Sequence, residues 1–179
     1  MNKIQLIVTV LGQNRPGILS ALAQCVAETG CNILDSRQAI FGKEFSLTMI
    51  IEGNQSAITK AEIKLPRLCL EHDLLSILKR TSEHCKQNLE HLLSLEFSGV
   101  DSVGIVKSVT SLFTKFEISV TALRQQTFVD KQTGANMMRC KMMLSAPQQL
   151  QVELIEQEVM HMLNELGLTG KMVDKQIQE

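Results

Sequence analysis

The residues of this chain best suited to bind a small ligand lie in the segment Gln13–Leu19. Ile4–Leu11 is an apolar run rich in branched side chains, typical of a buried strand, and Pro16 suits the first turn of a following helix. The loop between them presents backbone N–H groups at a helix start, where negative charge is favoured. Gly17 allows a ligand or another backbone to approach closely. Asn14 has two open interpretations: a helix cap or turn former, or an amide that binds the ligand.

The same segment has a weaker counterpart later in the chain, at Val100–Val106. Adding 87 to the residue number relates the two halves, as four pairs illustrate: Gly17 and Gly104, Ile18 and Ile105, Arg37 and Arg124, Gln38 and Gln125. The offset holds through the first strand, the loop, the first helix and the second strand, and then slips by about six residues in a hairpin, where insertions are tolerated. A constant offset over four elements indicates a duplication.

Hydrophobic periodicity predicts the order strand, helix, strand, strand, helix, strand, twice over. The predicted strands are 4–11, 31–41, 45–52 and 74–80 in the first half and 89–97, 118–128, 137–145 and 170–177 in the second. Helices are predicted near 16–29, 57–70, 103–116 and 148–166. This order is a split βαβ arrangement and predicts an α+β fold of two ferredoxin-like βαββαβ domains, each an antiparallel sheet with helices on one face. We expect the first domain at 1–81, a polar linker at 82–88 and the second domain at 89–179.

Several local features follow from single residues. Gly12 is expected to end the first strand, and Pro66 to interrupt or end the second helix. Asp101 or Ser102 is expected to cap the third helix, with Val103 opening its buried stripe. The second strand is expected to have one solvent-exposed face in its first half.

Composition restricts the function. The 18 basic and 19 acidic residues give a net charge of −1, which argues against a nucleic-acid footprint. There is no apolar run of membrane-spanning length, and Met1 leads almost directly into the first strand, so neither a membrane span nor a signal peptide is expected. The five cysteines are odd in number and form no CxxC pair, as expected of reduced cytoplasmic thiols.

The sequence Asn14–Ile18 after a first strand, with Cys31–Ile33 opening a second, resembles the ACT domain. That family consists of ferredoxin-like regulatory modules that bind amino acids and other small ligands. The resemblance covers nearly the whole chain as two copies, Ile4–Arg80 and Leu89–Ile177. It is closer still to a transcription regulator of tandem ACT type without a DNA-binding domain, through four stretches: Gln13–Leu19, Gly30–Arg37, Gly42–Phe45 and Asp73–Thr81.

The resemblance implies that Asn14 and Asn32 hold the amino and carboxylate groups of the ligand, with Gly17 allowing close approach. An amide suits this role because it both donates and accepts hydrogen bonds. The matching positions in the second copy are Asp101, Gly104 and Ser119. Neither asparagine is kept there, so the second copy either is structural or faces the first copy and completes its site.

By the same resemblance, the chain is expected to be a cytoplasmic, non-enzymatic regulator without metal or cofactor. It would repress the glycine cleavage genes indirectly, by binding their transcriptional activator, with glycine or serine as effector. Edge strands favour pairing between copies, within one chain or in a homodimer. The alternative binding function is a stand-alone amino-acid sensor that regulates an enzyme. A repressor that binds DNA directly is disfavoured by the charge balance.

Two other sets of residues could in principle support different chemistry. Arg15 and Asn32 superficially fit an acylphosphatase-like hydrolase, but Pro16 removes a phosphate-binding N–H group and fold analogy is weak evidence for activity. A cluster around the linker, His72, His84, Cys85 and His91, matches no closed zinc pattern and is better explained as solvated side chains.

Two further sets of residues have open interpretations. Met137, Met138, Met142 and Met143 on one strand favour core packing over an adaptable protein-binding surface. Arg37 and Arg124 occupy equivalent strand positions, either as a solvated face with an ion pair such as Asp35 to Arg37, or as contacts to a ligand or partner.

Overall fold

The computed structural model describes residues 3–81 and 91–175, and the chain divides into two compact units, Met1–Cys85 and Lys86–Glu179. The predicted linker at 82–88 lies outside the described residues. The first unit comprises β1 Ile4–Gln13, α1 Ile18–Thr29, β2 Asn32–Phe41, β3 Glu44–Gly53, α2 Gln55–Glu71 and β4 Leu75–Thr81. The second comprises β5 His91–Val100, α3 Ile105–Lys115, β6 Ser119–Val129, β7 Asn136–Ala146, α4 Val152–Glu165 and β8 Leu168–Asp174.

Each unit contains a four-stranded antiparallel sheet, ordered β2-β3-β1-β4 in the first and β6-β7-β5-β8 in the second. The predicted ferredoxin-like α+β fold is confirmed in both halves. The duplication extends to detail, because Gly17 and Gly104 both begin a helix in the left-handed region, with φ of 91° and 96°. In each case the glycine carbonyl accepts a 2.9 Å hydrogen bond from the N–H group four residues on.

The cores are aliphatic and sulfur-containing. In the first unit, Leu6, Val8 and Val10 alternate along β1 and pack beneath Leu22 and Ile58 of the helices. The second unit repeats this with Leu93, Leu95 and Phe97 on β5, with Val109, Phe113, Ile155 and Val159 on the helices, and with Met138 and Met142 on β7. Core packing is thus confirmed for these two methionines, whereas Met137 and Met143 point to the opposite sheet face and are half-buried.

Several local predictions need correction. β1 continues through Gly12 to Gln13, since the strand hydrogen-bonds to β3 along its whole length. α2 continues through Pro66, because Leu65 and Cys69 on either side are buried and their packing offsets the lost backbone hydrogen bond. α3 begins after Gly104, not after Asp101 or Ser102, and Val103 is fully exposed because it precedes the helix.

The strands β2 and β6 form one edge of their sheets and are exposed along nearly their whole length, rather than on one face of the first half. Each contains a bulge near its start, between Ile33 and Asp35 in β2 and between Val120 and Ala122 in β6. The two bulges are again 87 residues apart. Among the described residues, neither β2 nor β6 has a second neighbouring strand, so each unit presents an exposed strand edge that carries apolar side chains such as Phe41 and Phe128.

Candidate ligand-binding site

A backbone hydrogen bond holds the loop after β1, and the side-chain amide of Asn14 in this loop is not used to hold it. The N–H group of Asn14 donates to the carbonyl of Lys43 at 2.8 Å. α1 begins at Gly17 with no side-chain cap, so the interpretation of Asn14 as a helix cap does not hold. Within residues 3–81 and 91–175 the exposed Asn14 side chain makes no hydrogen bond. A ligand could therefore bind the Asn14 amide without displacing a hydrogen bond to any described residue.

Gly17 gives this loop open space. Among the described residues, a Cβ added at Gly17 would meet nothing within 4 Å, which leaves room there for an approaching group. The neighbouring Arg15 side chain is turned aside, because it donates hydrogen bonds of 2.8 and 3.1 Å to the Gln13 side chain. The N–H group of Ile18 donates to the Arg15 carbonyl at 3.3 Å. The next N–H groups of a first helical turn have no partner within the helix, and such groups are able to bind a small anion such as a carboxylate.

Asn32 lies beside a separate cavity of about 390 Å³. Its polar lining includes Lys3, Glu52 and Asn54. The Glu52 carboxylate accepts hydrogen bonds from Lys3 at 2.6 Å and Gln5 at 3.1 Å, and the Lys3 hydrogen bond holds the pKa of Glu52 below its ordinary value. The Asn54 side chain caps α2 by accepting from the N–H group of Ala57 at 2.9 Å. Asn32 itself is exposed and, among the described residues, its amide makes no hydrogen bond.

Within one unit the two asparagines lie at opposite ends of the sheet. Asn32 is level with Glu52, which pairs with Gln5 near the start of β1, whereas Asn14 follows the last residue of β1. Nine residues of strand separate these two levels, a span of roughly 30 Å. The first unit therefore does not bring Asn14 and Asn32 together, although it brings Asn14 and Gly17 into one loop.

The second unit repeats the geometry without the amides. The N–H group of Asp101 donates to the carbonyl of Asn136 at 2.8 Å, just as Asn14 donates to Lys43. The Asp101 carboxylate accepts a 2.9 Å hydrogen bond from Thr127, so it is partly committed within its own unit. Gly104 begins α3, and a Cβ there would also meet open space. Ser119 opens β6 at the other end of the sheet, as Asn32 opens β2.

The rival sites gain nothing from the structure. Arg15 and Asn32 are separated by the same length of sheet as the two asparagines, so a single unit cannot use them on one acyl phosphate. His84 and Cys85 lie outside the described residues. In the part of the chain that is described, there is no group of three or more potential metal ligands. His91 instead contacts the Asp174 carboxylate at 2.6 Å.

The sequence did not single out Glu52. This residue lines the cavity beside Asn32, and its carboxylate pairs with Lys3. The signal that could have found Glu52 is its position at the end of β3, directly opposite Asn32. Recognising that position requires the register of β2 on β3. Of the described helices, no helix is long and apolar enough to cross a membrane.

Comparison with known proteins places this geometry in a family. The ACT domain family matches residues 4–78. The glycine cleavage system transcriptional repressors of Escherichia coli K12 and Shigella flexneri are each 30% identical to the chain over 167 residues, which cover 93% of this chain and 88% of each relative.

Solved structures agree with this relationship. A crystal structure provisionally assigned as a glycine cleavage system transcriptional repressor has a TM-score of 0.76 at 31% identity, covering 97% of this chain and 98% of that chain. An unknown protein from Galdieria sulphuraria has a TM-score of 0.77 at 20% identity, covering 97% and 99%, which shows the shared fold.

The two βαββαβ units and the match over the first of them define a tandem ACT-domain protein, as the sequence predicted. Identity at this level over nearly the full length of both proteins narrows the class further. The chain belongs to the family of the glycine cleavage system transcriptional repressor.

Proposed function

We propose that this chain is a cytoplasmic regulator that represses the glycine cleavage genes indirectly, by binding their transcriptional activator. The observation that carries the proposal is the end-to-end relationship to a protein named as the repressor of this system, 30% identical over 93% of the chain. Glycine is the proposed effector, and its binding relieves repression. Serine is the closest alternative, because it presents the same ammonium and carboxylate groups.

The indirect route is supported by charge. A protein that binds duplex DNA neutralises phosphates with clustered basic side chains, whereas this chain has 18 basic and 19 acidic residues. No catalytic step is part of the proposal, since the Arg15 and Asn32 pair of the enzyme rival is split between two ends of the sheet. A protein contact is then the means by which the chain reaches a promoter.

We further propose that the effector binds between the first units of two chains. Asn14 and Gly17 of one chain would face Asn32 of the other, because the roughly 30 Å span of β1 keeps them apart within one unit. The second unit is a poorer partner for this site. Asp101 would bring a carboxylate towards the carboxylate of the ligand, and its oxygen is already engaged by Thr127. The exposed edge strand β2 offers a surface for such pairing.

A gel-shift experiment tests the proposed function. The purified chain alone should leave a glycine cleavage promoter fragment unshifted, and should change the mobility of the fragment once the activator is bound to it. Added glycine should reverse that change, while alanine at the same concentration serves as the control. A salt-sensitive shift by the chain alone would instead identify a direct DNA-binding repressor.

A further inference from the structure

The helix-free face of the second sheet, here called the open face, carries a row of charged side chains that crosses all four strands. Strand pairing sets Lys171, Glu96, Lys141 and Arg124 opposite one another on β8, β5, β7 and β6. Glu96 contacts Lys141 at 2.6 Å and Lys171 at 3.9 Å. At strand spacings of about 4.8 Å the row is roughly 14 Å long.

Positive charge exceeds negative charge on this face. Arg139 lies on the same face of β7, two residues before Lys141. Its guanidinium lies 5.8 Å from the centre of the Phe128 ring. Glu96 is the one acidic residue on the open face of the four described strands, against four basic residues. A cavity of about 310 Å³ opens here between Arg139 and Lys171. This excess lies in a chain whose net charge is −1.

The first unit, built on the same plan, lacks this row. The equivalent residues are Ile77, Thr9, Thr48 and Arg37. Thr9 and Thr48 hydrogen-bond to each other at 3.1 Å in place of the Glu96–Lys141 pair. The charge pattern is therefore a property of the second copy and is not required by the fold.

The two equivalent arginines differ in the same way. Arg37 lies 3.8 Å from the carboxylate of Asp35. Asp35 corresponds to Ala122 in the second copy, and within the described ranges the exposed Arg124 has no ion-pair partner. The guanidinium of Arg124 is thus available to a carboxylate from outside the chain, a group that arginine binds in bidentate geometry.

We propose that the open face of the second sheet is a docking surface for a protein partner that presents carboxylate side chains, which pair with Arg124 and Arg139. The proposal rests on the proposed function, since the partner is the activator. The margin of the face suits a protein contact, because Val100 and Phe128 are 59% and 43% exposed and Met137 lies between them in the pairing. Arginine, methionine and phenylalanine are enriched in protein interfaces relative to the rest of the protein surface.

A nucleic acid fits this face less well. Sheets that bind single strands stack bases on aromatic side chains. On the described central strands β5 and β7 no aromatic side chain points to the open face, and Glu96 would place a negative charge against the phosphates. A protein carboxylate that reaches Arg124 or Arg139 need not lie over Glu96.

Charge reversal with a matched control tests the assignment. The test variant is Arg124→Glu with Arg139→Glu, and the control is Lys60→Glu with Lys79→Glu, two exposed lysines of the first unit, so both variants have the same net charge. Affinity for the purified activator is measured by biolayer interferometry on full chains. The test variant should bind at least about tenfold more weakly, and the control should stay within about threefold of the wild type. Glycine-induced thermal shifts should be equal in all three proteins.

The outcomes separate this assignment from the proposed function. If the wild type binds the activator and the test variant binds equally well, the docking surface is wrong and the proposed function stands. If the test and control variants lose the same affinity for the activator, the loss is due to net charge alone, and the proposed docking surface is also wrong. Binding of a single-stranded oligonucleotide by the wild type, lost in the test variant, would make it a nucleic-acid surface. If the wild type does not bind the activator, the proposed function fails and the surface falls with it.

Discussion

Mixing two variants that each bind glycine weakly should restore part of the wild-type binding. Asn14→Ala and Asn32→Ala each remove one amide from a site that we propose to lie between the first units of two chains. Each change should weaken glycine binding by about 1–3 kcal/mol, the cost of leaving a bound polar group unpaired. Neither should lower stability by more than about 0.5 kcal/mol, since both side chains are exposed and make no hydrogen bond among the described residues.

The magnitude after mixing follows from symmetry. A two-fold dimer has two equivalent sites, each combining Asn14 of one chain with Asn32 of the other. In a mixed dimer, one site loses both asparagines and the other keeps both. If the subunits exchange at random, half of the dimers are mixed, so about a quarter of all sites regain wild-type affinity. Neither variant alone should show such sites.

Isothermal titration calorimetry with glycine measures both the number of sites and their affinity. Asn164→Ala, an exposed asparagine at the end of α4, is the matched control and should titrate like the wild type. The mixture should be denatured and refolded together so that the subunits exchange. No gain on mixing would refute a site shared between chains. Half of the wild-type sites in each unmixed variant would instead mean that each asparagine pairs with the second unit of its own chain.

Three further predictions concern stability and use urea unfolding. Gly53→Ala should lower the free energy of unfolding by about 1–3 kcal/mol, because its Cβ would lie 2.9 Å from that of Ala57 and 3.0 Å from the sulfur of Cys31. Gly42→Ala, which meets only backbone strain at φ 63°, should cost about 1 kcal/mol, and equal losses would refute the packing argument. Burial raises the pKa of the Cys140 thiol from 9.0 to about 11, so the unfolded chain releases its proton first and stability should fall as pH rises above 9. Cys140→Ala should flatten this decline, and an unchanged slope would contradict the assignment. Hydrogen bonds from Arg80 hold the pKa of Glu62 below 4.5, so the stability they contribute is present above that pH and is lost as pH falls below it. Glu62→Gln should therefore lose less stability than the wild type between about pH 5 and 3, and parallel curves would show that the pair is unimportant.

The fold was predictable because its signals are local and repeated. Gly30, for example, ends α1 in the left-handed region with φ of 81°, the conformation that a glycine directly after a helix favours. Where prediction failed, neighbours outside the local segment decided. Pro66 is tolerated in α2 because Leu65 and Cys69 are buried on either side, and Gly12 stays in β1 because β3 pairs with it.

The site was predictable only in part. Asn14, Gly17 and Asn32 were chosen by residue type and resemblance, and their exposure agrees with a binding role without testing it. Their roughly 30 Å separation depends on the register of β2 on β3 and of β3 on β1, which the sequence alone does not specify. The row through Glu96 and Arg124 was missed for the same reason, since its members come from four strands spread over 76 positions of the chain, from Glu96 to Lys171.

The position of β1 in the middle of its sheet has a consequence for the synthesis of the chain. Its two neighbours, β3 and β4, are translated later, and β4 ends at Thr81. At 5–20 residues per second, the ribosome takes roughly 3 to 14 seconds to add the 68 residues from Asn14, directly after β1, to Thr81 at the end of β4. During that interval the side of β1 that later pairs with β4 has no partner strand.

The duplicate strand β8 occupies the same place beside β5, so it is the natural competitor for the vacant side of β1. Translation removes the competition, because β4 is available about ninety residues before β8. Refolding from denaturant removes that advantage, since both strands are then available at once. The order in which the ribosome delivers the two copies thus protects a duplicated chain from exchanging strands with itself.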